Sequence, residues 1–272
     1  MLKQNEQALR KLISSGNGTY GVSIYHFEIK ESFEYQSNEL FYSASIIKVP
    51  IMAAVFAHAM KGKCSLSDKV RVKEEEIVPG DGIIKHLTSS IEWTVQDLIV
   101  LMIIESDNTA TNILIDLVGQ DQINSYMKEW GFNQSHLHHK LQIKAAREPG
   151  KMNVVTAHEM NEFLKKIVAG SVVSLNSCKK MIHIMKQQKM NDLLPSLLPE
   201  ADGVIGMIPN WEFAHKTGYV PGIEHNVGLF YLPGQTYAVS VLSNNVPNRA
   251  ESRRIMGEIG KLLYQVSCES KT

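Results

Sequence analysis

Apolar and polar positions follow two registers along the chain, and the register changes twice. Residues 2–15 carry Leu2, Leu9, Leu12 and Ile13 among polar neighbours, the spacing of a short surface helix that Gly16 ends. Thr19 to Ile29 alternates with period two and is rich in β-branched and aromatic residues, which predicts a strand with Phe33 to Ser37 as its hairpin partner. Helical spacing then takes over. The nearly all-apolar run from Val49 to Met60 predicts a buried helix stopping near Gly62. Leu98 to Ile104 is apolar on every side and follows a capping box of Thr94 and Asp97, so a second buried helix is expected there. It breaks at Glu105-Ser106-Asp107-Asn108 and resumes from Ala110 to Val118, before Gly119. Three more helical faces follow. Ile123, Tyr126, Met127 and Trp130 form one, closed by Gly131. Met160, Phe163, Leu164, Ile167 and Val168 form another behind a Thr156/Glu159 capping box, and the third runs from Ser177 to Gln188. After residue 204 alternation returns in Trp211 to Lys216, Asn226 to Tyr231 and Thr236 to Ser243, with Pro233-Gly234 as the clearest turn. An amphipathic helix from Arg249 to Val266 closes the chain.

Strands thus occupy both ends of the chain and helices its middle. Strands must pair, so the ends are expected to share one sheet, with the middle inserted as an all-helical unit. The predicted class is α+β, a mainly antiparallel sheet flanked by helices. One lobe spans 1–42 plus 205–272 and a helical lobe spans 43–204, with an active site expected at their interface. Residues 63–92 read as irregular: a charged run, Lys73-Glu74-Glu75-Glu76, has the character of a solvated face. Pro79-Gly80-Asp81-Gly82 is a turn that could line a cleft, although turn chemistry alone accounts for it.

Composition narrows the function. With 28 Lys plus Arg against 28 Asp plus Glu, no global charge attracts nucleic acid or an anionic membrane, and no basic run is interleaved with aromatics. Cys64, Cys178 and Cys268 are odd in number and far apart, which suits reduced thiols rather than a disulfide framework or a metal site. The N-terminal residues lack the apolar core of a signal peptide, and the longest apolar run is too short to span a bilayer. The chain as written is expected to be soluble and cytoplasmic. It would be secreted or envelope-associated if it is the mature part of a longer one. His136, His138 and His139 cluster, but Gln134 to Lys140 supplies no carboxylate or cysteine beside them, so an exposed loop is expected and no metal. No cofactor is called for. The expected partner is a small-molecule substrate and the expected state a monomer.

The chemistry centres on Ser45-Ile46-Ile47-Lys48. A serine and a lysine three apart share one face at a helix start. Burial disfavours a charged lysine, and a neutral amine beside a hydroxyl can take its proton and make a nucleophile. The spacing alone is weak, since it is expected about once by chance in a chain of this length. It occurs at Ser45/Lys48, Ser125/Lys128 and Ser177/Lys180, but only Ser45 heads a buried segment.

Two further tripeptides sharpen the reading. Ser106-Asp107-Asn108 falls in the break between two buried helices; alone it reads as a helix cap. Lys216-Thr217-Gly218 ends an apolar stretch; alone it reads as a strand end with a turn glycine. Together, in this order and spacing, Ser-x-x-Lys, Ser-Asp-Asn and Lys-Thr-Gly resemble the class A β-lactamases and the related penicillin-binding proteins. The resemblance covers nearly the whole chain and is close over Leu101 to Gly119. It implies the β-lactamase/transpeptidase-like fold and a serine acyl-transfer hydrolase. By that resemblance Ser45 is the nucleophile, Lys48 its activating base or proton relay, and Ser106 the donor to the leaving lactam nitrogen. Asn108 would bind the substrate amide side chain, and Lys216 and Thr217 the substrate carboxylate. The N–H groups of Ser45 and Tyr219 would form the oxyanion hole, and Gly218 would leave room for the substrate.

Two departures from the family stand out. Class A enzymes deacylate with a glutamate in a Glu-x-x-Leu-Asn motif, which this chain does not contain. The nearest stretch, Arg147-Glu148-Pro149-Gly150-Lys151-Met152-Asn153, has one residue too many, and Glu148 is the candidate base. Several class A enzymes also place an arginine on the strand after Lys-Thr-Gly. Here Glu224 and His225 stand there, the first repelling a carboxylate and the second a weak substitute. An esterase or D-Ala-D-Ala peptidase-like enzyme, and a penicillin-binding or sensing module that stays acylated, are therefore the rival expectations.

Overall fold

The computed structural model describes residues 1–88, 90–141, 151–201 and 209–269. The chain divides into two compact units. One comprises Met1–Ile46, Thr156–Lys165 and Lys189–Thr272, and the other Ile47–Val155 and Lys166–Gln188.

The first unit is built on a five-stranded antiparallel sheet. Its strands are β1 (Thr19–His26), β2 (Glu31–Tyr35), β7 (Glu212–Val220), β8 (Ile223–Leu232) and β9 (Gln235–Asn244), in the order β2-β1-β9-β8-β7. The two chain ends meet in the β1–β9 pair, where Val22 lies opposite Val241 and Ile24 opposite Val239. That register puts one side chain in two on the same face. Val22, Ile24, Val239, Val241 and Phe230 form a core with Leu9 and Ile13 of helix α1 (Glu6–Ser14) and Ile255, Met256, Ile259 and Leu263 of helix α8 (Arg249–Glu269). The fold is α+β with an antiparallel sheet made from both ends of the chain.

The second unit is helical. It holds α2 (Lys48–Met60), α3 (Val95–Ile104), α4 (Asn108–Val118), α5 (Gln120–Glu129) and α7 (Leu175–Lys186), and α6 (Ala157–Val168) starts in the first unit and ends in the second. Lys48 to His58 of α2 are all buried, as a helix without a polar face must be. Thr94 and Asp97 cap α3 reciprocally. Helix α7 starts two residues before its expected position because Ser174, whose side chain accepts from the Ser177 N–H, is its cap.

Two expectations are corrected. The segment 63–92 contains one strand, β4 (Lys69–Arg71), and the start of a second, β5 (Glu92–Thr94), paired with Val70 opposite Trp93. Three-residue strands with one apolar side chain each are too short to show a period. The Lys-Thr-Gly tripeptide does not end its strand either: β7 continues to Val220, which pairs with Ile223 across the tight turn at Pro221 and Gly222. The remaining strands, β3 (Phe41–Tyr42) and β6 (Val154–Val155), are two residues long.

Candidate active site

Ser45 lies in a 3₁₀ turn, Ala44–Ile47, that runs directly into α2 at Lys48. The α-helix starts only at Lys48, so Ser45 itself belongs to the 3₁₀ turn that precedes it. Ala44 adopts φ +43°, a left-handed conformation that a non-glycine residue holds only when its surroundings impose it. Among the described residues 43–58, only Ser45 is not buried. The nucleophile expected from sequence is thus the one group of that apolar run that solvent or substrate can reach.

In the helical unit Lys48 is fully buried and its Nζ reaches the Ser106 carbonyl oxygen at 2.7 Å, Asn108 Oδ1 at 2.8 Å and Ser106 Oγ at 3.1 Å. Two of these partners only accept, so Nζ donates to both. The third is a hydroxyl, which can accept from an ammonium or donate to the lone pair of a neutral amine. A proton can therefore pass between Nζ and Ser106 Oγ without either group moving. Lys48, Ser106 and Asn108, 60 residues apart at most, are brought into one buried cluster.

The break between α3 and α4 is held open by Asp107, which is 1% exposed. Its Oδ1 accepts from Ala110 N at 2.9 Å and caps α4. Its Oδ2 accepts from Ile83 N at 2.7 Å and Ile84 N at 2.9 Å. Asn108 N donates to Asp81 O at 3.1 Å, and Val78 N to Thr109 Oγ1 at 3.1 Å. The Pro79-Gly80-Asp81-Gly82 turn is therefore clamped to the Ser-Asp-Asn segment. Gly82, at φ +117°, has no room for a Cβ because the Asp107 carboxylate fills the space. Ser106 pays for this geometry with φ +52°.

In the sheet unit Lys216, Thr217, Gly218 and Tyr219 lie in mid-strand on β7. Lys216 is fully buried, and its Nζ donates to the Thr217 carbonyl at 2.9 Å. A Cβ on Gly218 would lie 3.2 Å from both Ser45 N and Ala44 Cβ, so the strand and the serine backbone touch at the glycine. Tyr219 is 45% exposed, and its ring carries the Arg249 guanidinium 3.8 Å from its centroid.

Glu224, expected to repel a carboxylate, and His225, expected to substitute weakly for the arginine, are both buried. Glu224 is buried and turned toward α8, where Arg249 Nε (2.8 Å), Arg253 Nε (3.2 Å) and Ser252 Oγ (2.8 Å) donate to it. His225 is buried as well. Its Nδ1 accepts from Ser243 N at 3.1 Å, so its proton is on Nε2, which donates to Tyr42 O at 2.8 Å. Burial pushes its pKa down to about 4, against the lesser opposing effect of its backbone hydrogen bonds. It therefore has no positive charge to offer a carboxylate at neutral pH. His215 resembles it: Nδ1 faces Asn226 Nδ2 at 3.0 Å and Nε2 faces Asn191 Oδ1 at 3.2 Å, and burial, then the Lys216 charge, push its pKa down to about 3.

These two imidazoles make a pH prediction. Both stay neutral in the fold below 6.5, where the unfolded chain takes up protons. Stability is then full above 6.5 and falls as pH drops toward about 4 and about 3. Each histidine contributes a slope of about 1.4 kcal/mol per pH unit in that window. Urea unfolding across the window should show the fall, and His225→Gln should flatten it by one proton. An unchanged slope in that variant would contradict the assignment.

Other sequence expectations land differently. Glu148, with Arg147, Pro149 and Gly150, lies outside the described residues. Asn153 accepts from His138 N at 2.7 Å and His139 N at 3.1 Å through Oδ1, so it fixes the histidine segment. The His136 and His138 rings are 4.4 Å apart, and no group of three His, Cys, Asp or Glu among the described residues is arranged to hold a metal ion. No helix of the described residues is long and apolar enough to cross a membrane. A pocket of about 620 Å³ in the helical unit, lined by Leu66, Thr94, Gln96, Lys179, Lys180 and His183, contains none of the motif residues. Sequence reasoning missed Asp107 as a loop clamp, Arg249 against Tyr219, and Met190, whose sulfur accepts from the Thr217 hydroxyl. Asp107 was visible only as a cap, and the other two carry no local signal.

Known proteins extend this picture. The family model described as the β-lactamase enzyme family matches residues 4–267. β-Lactamase VEB-1 of Pseudomonas aeruginosa is 23% identical over 279 residues, covering 94% of this chain and 88% of that protein. A β-lactamase structure from Sphaerobacter thermophilus superposes with a TM-score of 0.88 at 28% identity, covering 97% of each chain. PBP-A shares the fold, with a TM-score of 0.85 at 24% identity over 97% of this chain and 96% of that one. Matched along nearly its whole length, and carrying the three motifs in order, the chain belongs to the β-lactamase enzyme family and is a serine hydrolase of the class A type.

Proposed function

We propose that the chain opens β-lactam rings through an acyl-enzyme on Ser45. The observation that carries this reading is the contact of Lys48 Nζ with Ser106 Oγ at 3.1 Å. Ser45 and Lys48 lie three residues apart in the sequence, and Lys48 is the side chain assigned to activate Ser45. Lys48 takes the Ser45 proton, and Ser45 Oγ attacks the lactam carbonyl carbon. The N–H groups of Ser45 and Tyr219 stabilise the oxyanion. As the C–N bond breaks, Ser106 gives its proton to the nitrogen and recovers one from Lys48. Lys216 and Thr217 hold the substrate carboxylate. Asn108 keeps Oδ1 on Lys48, and its Nδ2, 3.4 Å from the Pro79 carbonyl, is weakly enough held to turn to a substrate amide. All these groups belong to one chain, so a monomer suffices.

Release of the acyl group needs a base for water, for which Glu148 is the candidate, the alternative being a surface glutamate in a turn. The absence of Glu-x-x-Leu-Asn favours a second reading, a penicillin-binding or sensing protein that acylates and barely deacylates.

Intact mass followed over time after mixing with a penicillin separates these readings. An adduct that forms and decays within seconds, absent in Ser45→Ala, is the expected result. An adduct persisting for hours identifies the binding protein. No adduct sinks the β-lactam reading and directs the search to esters and peptides.

A further inference from the structure

Residues 189–192 meet the strand of the Lys-Thr-Gly motif at two positions of one face. Asn191 Oδ1 accepts from His215 Nε2 at 3.2 Å, and Met190 Sδ accepts from Thr217 Oγ1 at 3.2 Å. His215 and Thr217 are two apart in a strand and so point the same way. The next residue, Asp192, pairs with Arg253 Nη2 at 2.7 Å, so three successive side chains fix this segment. Met190 is 41% exposed and Thr217 7%. An exposed methionine has no core gap to fill, and here its sulfur meets the hydroxyl assigned to the substrate carboxylate.

We infer that Met190 is a specificity-determining residue that competes with the substrate carboxylate for the Thr217 hydroxyl. The inference rests on the proposed role of Thr217. A thioether is a weak acceptor, and a carboxylate a charge-assisted one. The sulfur therefore satisfies the hydroxyl in the free protein and yields it when a carboxylate arrives, at some loss of affinity. The same contact makes binding sensitive to peroxides. The sulfur lone pair attacks one peroxide oxygen and the O–O bond breaks. The thioether is oxidised by two electrons to a sulfoxide, and the peroxide, with the transferred proton, leaves as water or alcohol. The sulfoxide oxygen is a strong acceptor that holds the hydroxyl against the substrate.

The test measures the half-saturating concentration and maximal rate of Ser45 acylation for a penicillin and for its methyl ester. Met190→Leu keeps the volume and removes the acceptor, and Met190→Gln supplies a carbonyl acceptor. Met190→Leu is expected to lower the half-saturating penicillin concentration about threefold at unchanged maximal rate. Met190→Gln and hydrogen peroxide-treated wild type should raise it about tenfold, while peroxide-treated Met190→Leu stays as it was. The chain has 12 methionines, so that last comparison assigns the effect to one of them. The ester, which lacks the carboxylate charge, should distinguish none of these proteins. Equal values for wild type and Met190→Leu with penicillin, or an equal response with the ester, overturns the inference while the acyl-transfer reading stands. A wild type that forms no adduct overturns that reading first, and this one with it.

Discussion

Lys48→Ala is expected to slow acylation of Ser45 by about 10³-fold or more, the larger end of what a positioned acid–base group contributes. Its amine reaches both the Ser106 hydroxyl and Asn108 Oδ1. Without it the proposed path from Ser45 to Ser106 has no carrier. The substitution also strips a donor from two buried acceptors, the Ser106 carbonyl and Asn108 Oδ1. Each acceptor left unsatisfied costs about 1–3 kcal/mol, so a lower melting temperature should accompany the kinetic loss. Lys48→Met, which keeps most of the volume, separates cavity formation from lost hydrogen bonds in that melting temperature. Single-turnover mass measurements with a penicillin decide the kinetic part. A folded variant acylating within about tenfold of wild type would remove Lys48 from the proton path.

The largest stability effect is expected at Asp107. Asp107→Ala removes the acceptor of Ile83, Ile84 and Ala110 backbone N–H groups at once. A lost helix cap costs about 1 kcal/mol, and each of the other two hydrogen bonds to a charged acceptor adds about 1.5–3 kcal/mol, so about 4–7 kcal/mol in total is expected. That is enough to unfold a marginally stable protein or to free the 78–84 segment from the Ser-Asp-Asn turn. Urea unfolding supplies the measurement. Asp107→Asn, which keeps one acceptor oxygen, should lose less than half as much. Equal losses in the two variants would show that the carboxylate does not act as the clamp described. Ser106 depends on the same clamp for its left-handed backbone, so acylation should fall together with stability in this series.

How far each feature could be read from the chain depends on the range of the interaction behind it. Helices α2, α3 and α4 and the break between the last two were legible because period, cap and breaker lie within one or two turns of each other. Thr94 and Asp97 are three residues apart, and their reciprocal bonds are a local matter. The pairing of the two ends was legible too, since alternating stretches without neighbours of their own must pair with each other. Ser45, Lys48, Ser106, Asn108, Lys216 and Thr217 were singled out by the family resemblance that the order and spacing of the three motifs carry. β4 and β5 were not legible, because a three-residue strand gains its ladder only from a partner more than 20 residues away. The continuation of β7 through Gly218 was read as a turn, since a glycine after an apolar stretch is locally ambiguous. The unbroken partner strand β8 decides it.

By itself, then, the sequence determined the element types and the α+β class, because these follow from periodicity and residue type, and the resemblance of its three motifs named the side chains proposed to carry the chemistry. Only the tertiary structure decided the geometry those side chains work in. The left-handed φ at Ala44 and Ser106 is unfavourable locally and persists because packing imposes it. The Asp107 carboxylate finds two of its donors 23 and 24 residues away. Glu224 is neutralised by arginines 25 and 29 residues downstream, and the Thr217 hydroxyl meets a sulfur 27 residues upstream. Contacts at such separations leave no periodic trace in a sequence, because folding the chain is what brings them together.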